Sequence, residues 1–270
     1  MTSFDTIKLK ISDRGIARIT LNRGDIHNAF DSRMIQELTQ VFTDLAEKTI
    51  IRIIILTGEG RSFSAGADIN YMKKSQNYSY QENYDDAARL ENLFHTIYSS
   101  PKPVVCRING SAIGGGIGLV SSCDIAVAVV RAKFAFSEVN LGILPAVISP
   151  YVIQKIGFSY ARRYFLTGER FTAQRALEIG LIQELASDEK NLDIKVNEIV
   201  DNLLTSGPVA IKEVKKLLKQ NWVMDLHSLR KYCIEAIAAI RTSDEGREGL
   251  AAFLEKRDSY WKTGSLNKAP

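Results

Sequence analysis

Three short apolar runs limit most strongly what this chain can fold into. Ile50 to Leu56, Val104 to Asn109 and Asp124 to Val130 are largely continuous rather than alternating, and Arg52 interrupts the first. A strand that is apolar on both faces is covered on both faces, which favours parallel strands under helices. The intervening sequence supplies those helices. Asp31 is placed as the N-cap of a helix through Glu47, with Met34, Ile35, Leu38, Val41, Phe42 and Leu45 on one face. Further helices are read over 83–99 and 114–122. Ahead of them, 7–11 and 16–22 form a hairpin across Asp13-Arg14-Gly15, and Phe134 to Phe136 is another short strand. From Pro150 the pattern turns helical. Pro150 and Pro208 sit well at helix starts, and Thr242 with Glu245 resembles a capping box for a last helix through Lys256. The expectation is an α/β chain, mixed to about residue 140 and nearly all helix beyond. Residues 1–200 form the core and 201–270 a helical C-terminal region.

Composition narrows the class. A chain of 270 residues buries a sizeable core without disulfides or metals. Its 45% hydrophobic and 24% charged residues exclude a disordered or fibrous protein. No apolar run reaches the roughly 18 residues of a membrane span, and Met1 to Lys10 has no signal core. Cys106, Cys123 and Cys233 are odd in number and widely spaced, which fits a reducing, cytoplasmic setting. His27, His95 and His227 lack metal-ligand spacing, so no metal is expected. A formal charge of +4 is compatible with an anionic ligand and does not demand nucleic acid.

Two glycine-rich loops follow buried strands. One is Phe63-Ser64-Ala65-Gly66-Ala67-Asp68; the other, Gly114-Gly115-Gly116-Ile117-Gly118, opens a helix. Free N–H groups at such places suit an oxyanion hole, and the same glycines suit ordinary close packing. A P-loop is excluded because its Lys-Ser/Thr is absent. Glu138 stands in an apolar stretch. Burial there raises a carboxyl pKa and suits a general acid/base, although a capping or surface glutamate fits the same pattern. Residues 71–86, with Tyr71, Tyr78, Tyr80 and Tyr84, read as a mobile segment or a lid. Cys106 and Cys123 read as small core residues, Arg162 and Arg163 as a solvated face, and Asp124 as a structural hydrogen-bonding residue. His27 is not read as a catalytic residue. Lys212, Lys215, Lys216 and Lys219 read as the exposed face of an amphipathic helix.

Taken in order, several of these segments resemble the crotonase (enoyl-CoA hydratase/isomerase) superfamily over about residues 5–258. They are Asn28-Ala29-Phe30, Phe63 to Asp68, Asn109 to Gly116, Cys123-Asp124, Ser137-Glu138, Leu166 to Glu169 and Phe253 to Arg257. The resemblance implies a crotonase-like ββα spiral with a helical C-terminal trimerisation part, assembled as a homotrimer or a dimer of trimers. It implies an acyl-CoA thioester as substrate and no cofactor. The N–H groups of Ala67 and Gly115 would hold the thioester oxygen. Ala65, Gly66, Asp68 and Gly114 would line the CoA channel, with Phe253 and Lys256 reaching CoA across a subunit boundary. Glu138 matches one of the two glutamates of typical hydratases; the position of the other is Gly118.

Segments 118–124, 137–150 and 161–164 look like bacterial hydratases of branched, carboxylated enoyl-CoAs. These are the 3-methylglutaconyl-CoA hydratases of leucine breakdown and the γ-carboxygeranoyl-CoA hydratases. The resemblance therefore implies hydration of 3-methylglutaconyl-CoA to 3-hydroxy-3-methylglutaryl-CoA, with room left at Gly118 for water or a substrate carboxylate. A general enoyl-CoA hydratase, a γ-carboxygeranoyl-CoA hydratase and a Δ3,Δ2-enoyl-CoA isomerase are the alternatives within the family. A non-catalytic acyl-CoA binder and an RNA-binding protein are the alternatives outside it; the helix at 31–40 carries little of the positive charge that RNA needs.

Overall fold

The three apolar runs become the centre of a six-stranded sheet. The structure, a computed structural model, describes residues 4–263. The first elements are β1 (Ile7–Ile11), β2 (Ile16–Leu21), α1 (Ser32–Glu47), β3 (Ile53–Gly58), α2 (Ile69–Ser75) and α3 (Tyr80–Ser99). Next come β4 (Val104–Ile108), β5 (Ala112–Ile113), α4 (Gly115–Ser122), β6 (Ile125–Val129) and β7 (Lys133–Ala135). The remainder is α5 (Ser149–Thr167), β8 (Phe171–Thr172), α6 (Ala173–Glu178), β9 (Glu184–Ala186), α7 (Glu189–Leu204), α8 (Pro208–Val223), α9 (Leu226–Thr242) and α10 (Asp244–Leu254). The large sheet has the order β1-β2-β3-β4-β6-β9 and is parallel except for the β1–β2 hairpin. A small sheet, β5-β7-β8, stands beside it.

Local chemistry explains the boundaries. Asp31 accepts the Met34 N–H at 3.0 Å and starts α1, whose six expected apolar residues are all buried. Every residue of β3 and of β4 is buried, as strands covered on both faces require. Pro150 and Pro208 sit in the first turns of α5 and α8. Among the described residues no helix is long and apolar enough to cross a membrane.

Several expectations are corrected. Residues 71–75 and 80–86 are helical, in α2 and α3: Asp68 caps α2, and Ser79 with Glu82 forms a capping box that starts α3 at Tyr80. The half beyond residue 140 contributes two strands. One of them, β9, pairs with β6 and completes the large sheet. The last helix is capped by Ser243, which accepts the Gly246 N–H at 3.1 Å, not by Thr242. Glu245 instead crosses to the start of α8 and accepts the N–H groups of Val209 (3.0 Å) and Ala210 (2.7 Å). Lys215 is not on an exposed face; it is buried against Asp124 at 2.5 Å.

Buried charge also fixes the first strand. Glu37 on α1 accepts the N–H groups of Asp5 (3.0 Å) and Thr6 (2.9 Å), the Thr6 hydroxyl (2.6 Å) and Arg33 Nε (2.8 Å). Burial raises its pKa, and these hydrogen bonds outweigh that effect and hold it below the ordinary value. A depressed carboxyl pKa contributes stability that is present above the unfolded value of about 4.3 and is lost as pH falls through the folded value. Glu37→Gln is expected to cost about 1–3 kcal/mol in urea denaturation at pH 7, because it leaves buried donors short of acceptors. The cost shrinks progressively below about pH 4.

Candidate active site

Two single-residue bridges bring the glycine-rich loops together. Phe30 pairs with Ala67 and Ser64 pairs with Ala112, both parallel. In the first, the Phe30 N–H donates to Gly66 O (2.8 Å) and the Asp68 N–H donates to Phe30 O (3.0 Å). That pattern turns the Ala67 N–H away from Phe30. In the second, the Ile113 N–H donates to Ser64 O at 3.0 Å, which delivers the chain to the start of α4. Gly66 makes the approach possible. Its φ is +85°, and a Cβ there would lie 2.8 Å from Ile113 O and 3.6 Å from Gly115 N. Gly115 is the first residue of α4, so its N–H has no partner within the helix. Among the described residues neither the Ala67 nor the Gly115 N–H donates to a protein acceptor.

The surrounding side chains hold this geometry. Asn28 is buried with φ +53° and donates to Glu59 O (2.8 Å) and Ser62 O (2.9 Å), while its amide oxygen accepts the Arg23 N–H (3.0 Å). Arg23 reaches Ala29 O (2.7 Å), Asp31 (3.1 Å) and Asp68 (2.8 Å). Asp68 also accepts the N–H groups of Asn70 and Tyr71. Burial raises the Asp68 pKa, and those backbone bonds with Arg23 bring it below the ordinary value. The carboxylate is thus engaged in holding the loop. Asn28, Asp31 and Asp68 all converge on Arg23, which sequence reasoning missed; no local pattern marks an arginine whose partners lie up to 45 residues away.

Glu138 sits in a 3-10 turn, Ser137–Leu141, just after β7. Its Oε1 lies 3.3 Å from where a Cβ on Gly114 would stand, so the carboxyl packs over the residue before Gly115. Its Oε2 is buried without a partner. Burial raises its pKa against the opposing effect of its own backbone N–H. The site therefore brings two free N–H groups near one buried carboxyl whose proton burial favours. Gly66 approaches Gly115 N and Gly114 lies under the Glu138 carboxyl, while Ala65 and Asp68 stand in the same loop as Ala67. His27 is exposed, with its ring Nδ1 3.0 Å from Ser62 Oγ. Phe253 and Lys256 stand apart, exposed at the end of α10, which packs on α8 and α9.

Gly118 differs from expectation. A Cβ there would lie 2.5 Å from Ile148 Cγ2 and 2.6 Å from Phe94 Cζ. Both neighbours are buried, so no room is left for water or a carboxylate beside this Cα. Phe94 was missed because its α3 position reads only as core.

Comparison with known proteins now adds a family. Residues 12–264 match the enoyl-CoA hydratase/isomerase family. A crystal structure of an enoyl-CoA hydratase from Shewanella pealeana is 41% identical, covers 96% of each chain and superposes with a TM-score of 0.91. Pseudomonas aeruginosa AtuE is 32% identical, covers 96% of this chain and 100% of its own, and has a TM-score of 0.92. Enoyl-CoA hydratase AKT6-1 of Alternaria alternata is 33% identical over 92% of this chain and 81% of its own. The fold is the α/β crotonase fold. The chain belongs to the enoyl-CoA hydratase/isomerase family and is an enzyme of that family.

Two measurements probe the packing. Gly118→Ala is expected to lower unfolding stability by about 1–3 kcal/mol through overpacking, and adding Phe94→Leu recovers part of the loss. Glu138→Gln is expected to raise the melting temperature at pH 8. A raised carboxyl pKa contributes stability that is complete below the unfolded value and is lost as pH rises through the folded one. The gain therefore closes by about pH 4.

Proposed function

We propose that the chain adds water across the α,β double bond of an acyl-CoA thioester through an enolate, with 3-methylglutaconyl-CoA as substrate and 3-hydroxy-3-methylglutaryl-CoA as product. The observation that carries this reading is the single carboxyl of Glu138, with one partnerless oxygen, packed over Gly114 beside two free N–H groups. Glu138 takes a proton from water as the water oxygen bonds to C3. The electron pair of the double bond moves onto the thioester oxygen, where the Ala67 and Gly115 N–H groups hold the enolate. Glu138 then returns the proton to C2, so both additions occur on one face. A substituted C3 tolerates positive character, which lessens the need for the second glutamate that Gly118 replaces. No cofactor enters this scheme. The exposed apolar residues Leu250, Phe253 and Leu254 support assembly into a trimer or a dimer of trimers, with Phe253 and Lys256 reaching the CoA of a neighbouring copy.

A second reading is Δ3,Δ2-enoyl-CoA isomerisation, in which Glu138 moves one proton between C2 and C4. The closed packing of Phe94 and Ile148 at Gly118 favours it, because no second acid or ordered water is needed there.

The test follows loss of the conjugated enoyl-thioester absorbance with 3-methylglutaconyl-CoA and crotonyl-CoA side by side. Preference for the carboxylated substrate is expected, with Glu138→Gln slower by roughly 10²–10⁴-fold. Equal turnover of crotonyl-CoA makes the chain a general hydratase. No hydration of either, with conversion of a 3-enoyl-CoA to its 2-enoyl isomer, selects the second reading. Near-normal hydration by Glu138→Gln removes Glu138 from the mechanism.

A further inference from the structure

A cavity lies at the opposite end of α4 from Gly115. Its volume is about 190 Å³, and Leu218, 66% exposed, stands at its rim. Liquid water occupies about 30 Å³ per molecule, so the space suits an anion of a few heavy atoms with its hydration. Three ammonium groups line it: Lys155 from α5, and Lys215 and Lys219 from α8.

The protein supplies these cations with few acceptors. Asp124 at the start of β6 is the carboxylate among the lining residues. Its Oδ2 is already shared by the Val104 N–H (2.7 Å) and Lys215 Nζ (2.5 Å). Lys215 also donates to Lys102 O at 3.1 Å. Among the described residues Lys155 reaches only the Asp124 carbonyl, at 3.2 Å, and Lys219 stands 4.9 Å from the centre of the Tyr98 ring. Nearby Glu91 is exposed and accepts the Tyr151 hydroxyl. Ser121 lines the same cavity, is 3% exposed, and its hydroxyl has no partner. A buried hydroxyl without a partner is costly and uncommon. The cavity thus holds more positive charge and more donors than its own acceptors satisfy. Burial pushes the Lys155 ammonium below its ordinary pKa, against the pull of Cys123 and Asp124. Burial, then Lys215, pushes Lys219 down as well.

We propose that this cavity is a binding site for a small free oxyanion of the phosphate type, held by Lys155, Lys219 and the Ser121 hydroxyl. The anion supplies the acceptors that these donors lack and relieves the repulsion among the lysines. Lys215 stays with Asp124 and closes the floor. The site is separate from the Ala67–Gly115–Glu138 constellation, which lies at the other end of α4.

Equilibrium dialysis with radiolabelled inorganic phosphate, in chloride buffer of matched ionic strength, tests the proposal on the full chain. Saturable uptake of one phosphate per chain is expected. Lys219→Gln and Ser121→Ala are each expected to weaken it at least about tenfold, the loss of one positioned partner. Circular dichroism checks that both variants are folded, and neither residue belongs to the proposed catalytic set. Excess coenzyme A is expected to leave the bound phosphate in place. Three results overturn the proposal: no saturable uptake up to about 10 mM phosphate, well above a millimolar Kd; equal uptake by wild type and both folded variants; or displacement by coenzyme A, which assigns the phosphate to the acyl-CoA site.

Discussion

Two backbone bridges, Phe30 to Ala67 and Ser64 to Ala112, hold the candidate site together. Each is a single-residue contact, and only Ala112 also belongs to a strand, pairing with Phe134 of β7. Ordering such loops costs about 1–2 kcal/mol per residue in backbone entropy, so a pair of bridges alone would not keep them in place. Polar side chains supply the rest. Asn28 ties its own loop to the loop after β3, and Asn109 does the same from the end of β4, donating to Gly60 O at 2.9 Å. Arg23 joins the first turns of α1 and α2 through Asp31 and Asp68. The free N–H groups of Ala67 and Gly115 are therefore fixed before any ligand arrives, which is what preorganised electrostatic stabilisation requires.

The same economy runs through the rest of the molecule. Buried charges end on the backbone or side chains of another element: Glu37 on the start of β1, Glu245 on the start of α8, Lys215 on Asp124 at the start of β6, Arg107 on Asp193 of α7 at 2.7 Å. A buried charge is tolerable when it is paired and hydrogen-bonded. Against that background, the partnerless buried atoms stand out. Among the side chains of the described residues they are Glu138 Oε2, Ser121 Oγ and Ser259 Oγ. The first marks the proposed proton-transfer group and the second faces the basic cavity. One helix, α4, separates these two places.

Much of this was legible in the chain. The N-cap and apolar face of α1, the hairpin, the buried strands and the two glycine-rich loops follow from local propensity and periodicity. Ordered motifs then identified the family. Residues 71–86 were misjudged because their polar composition hides two capped helices, whose start signals are Asp68 and Ser79. The strand β9 is only three residues long, too short for a periodic pattern to show. Lys215 looked exposed because its partner Asp124 lies 91 residues away.

The residues themselves therefore determined the α/β class, the positions of the loops and the presence of one glutamate where two are usual. These depend on short-range preferences, which any stretch of chain carries alone. Only the tertiary structure decided what surrounds Gly118. Its Cα faces Phe94 from α3 and Ile148 from the segment before α5, so the missing side chain leaves packed hydrocarbon rather than open space. It also decided that Lys155, Lys215, Lys219 and Ser121 share one cavity. Both outcomes come from close packing between segments distant in sequence, where a fraction of an ångström settles whether a space is filled or open.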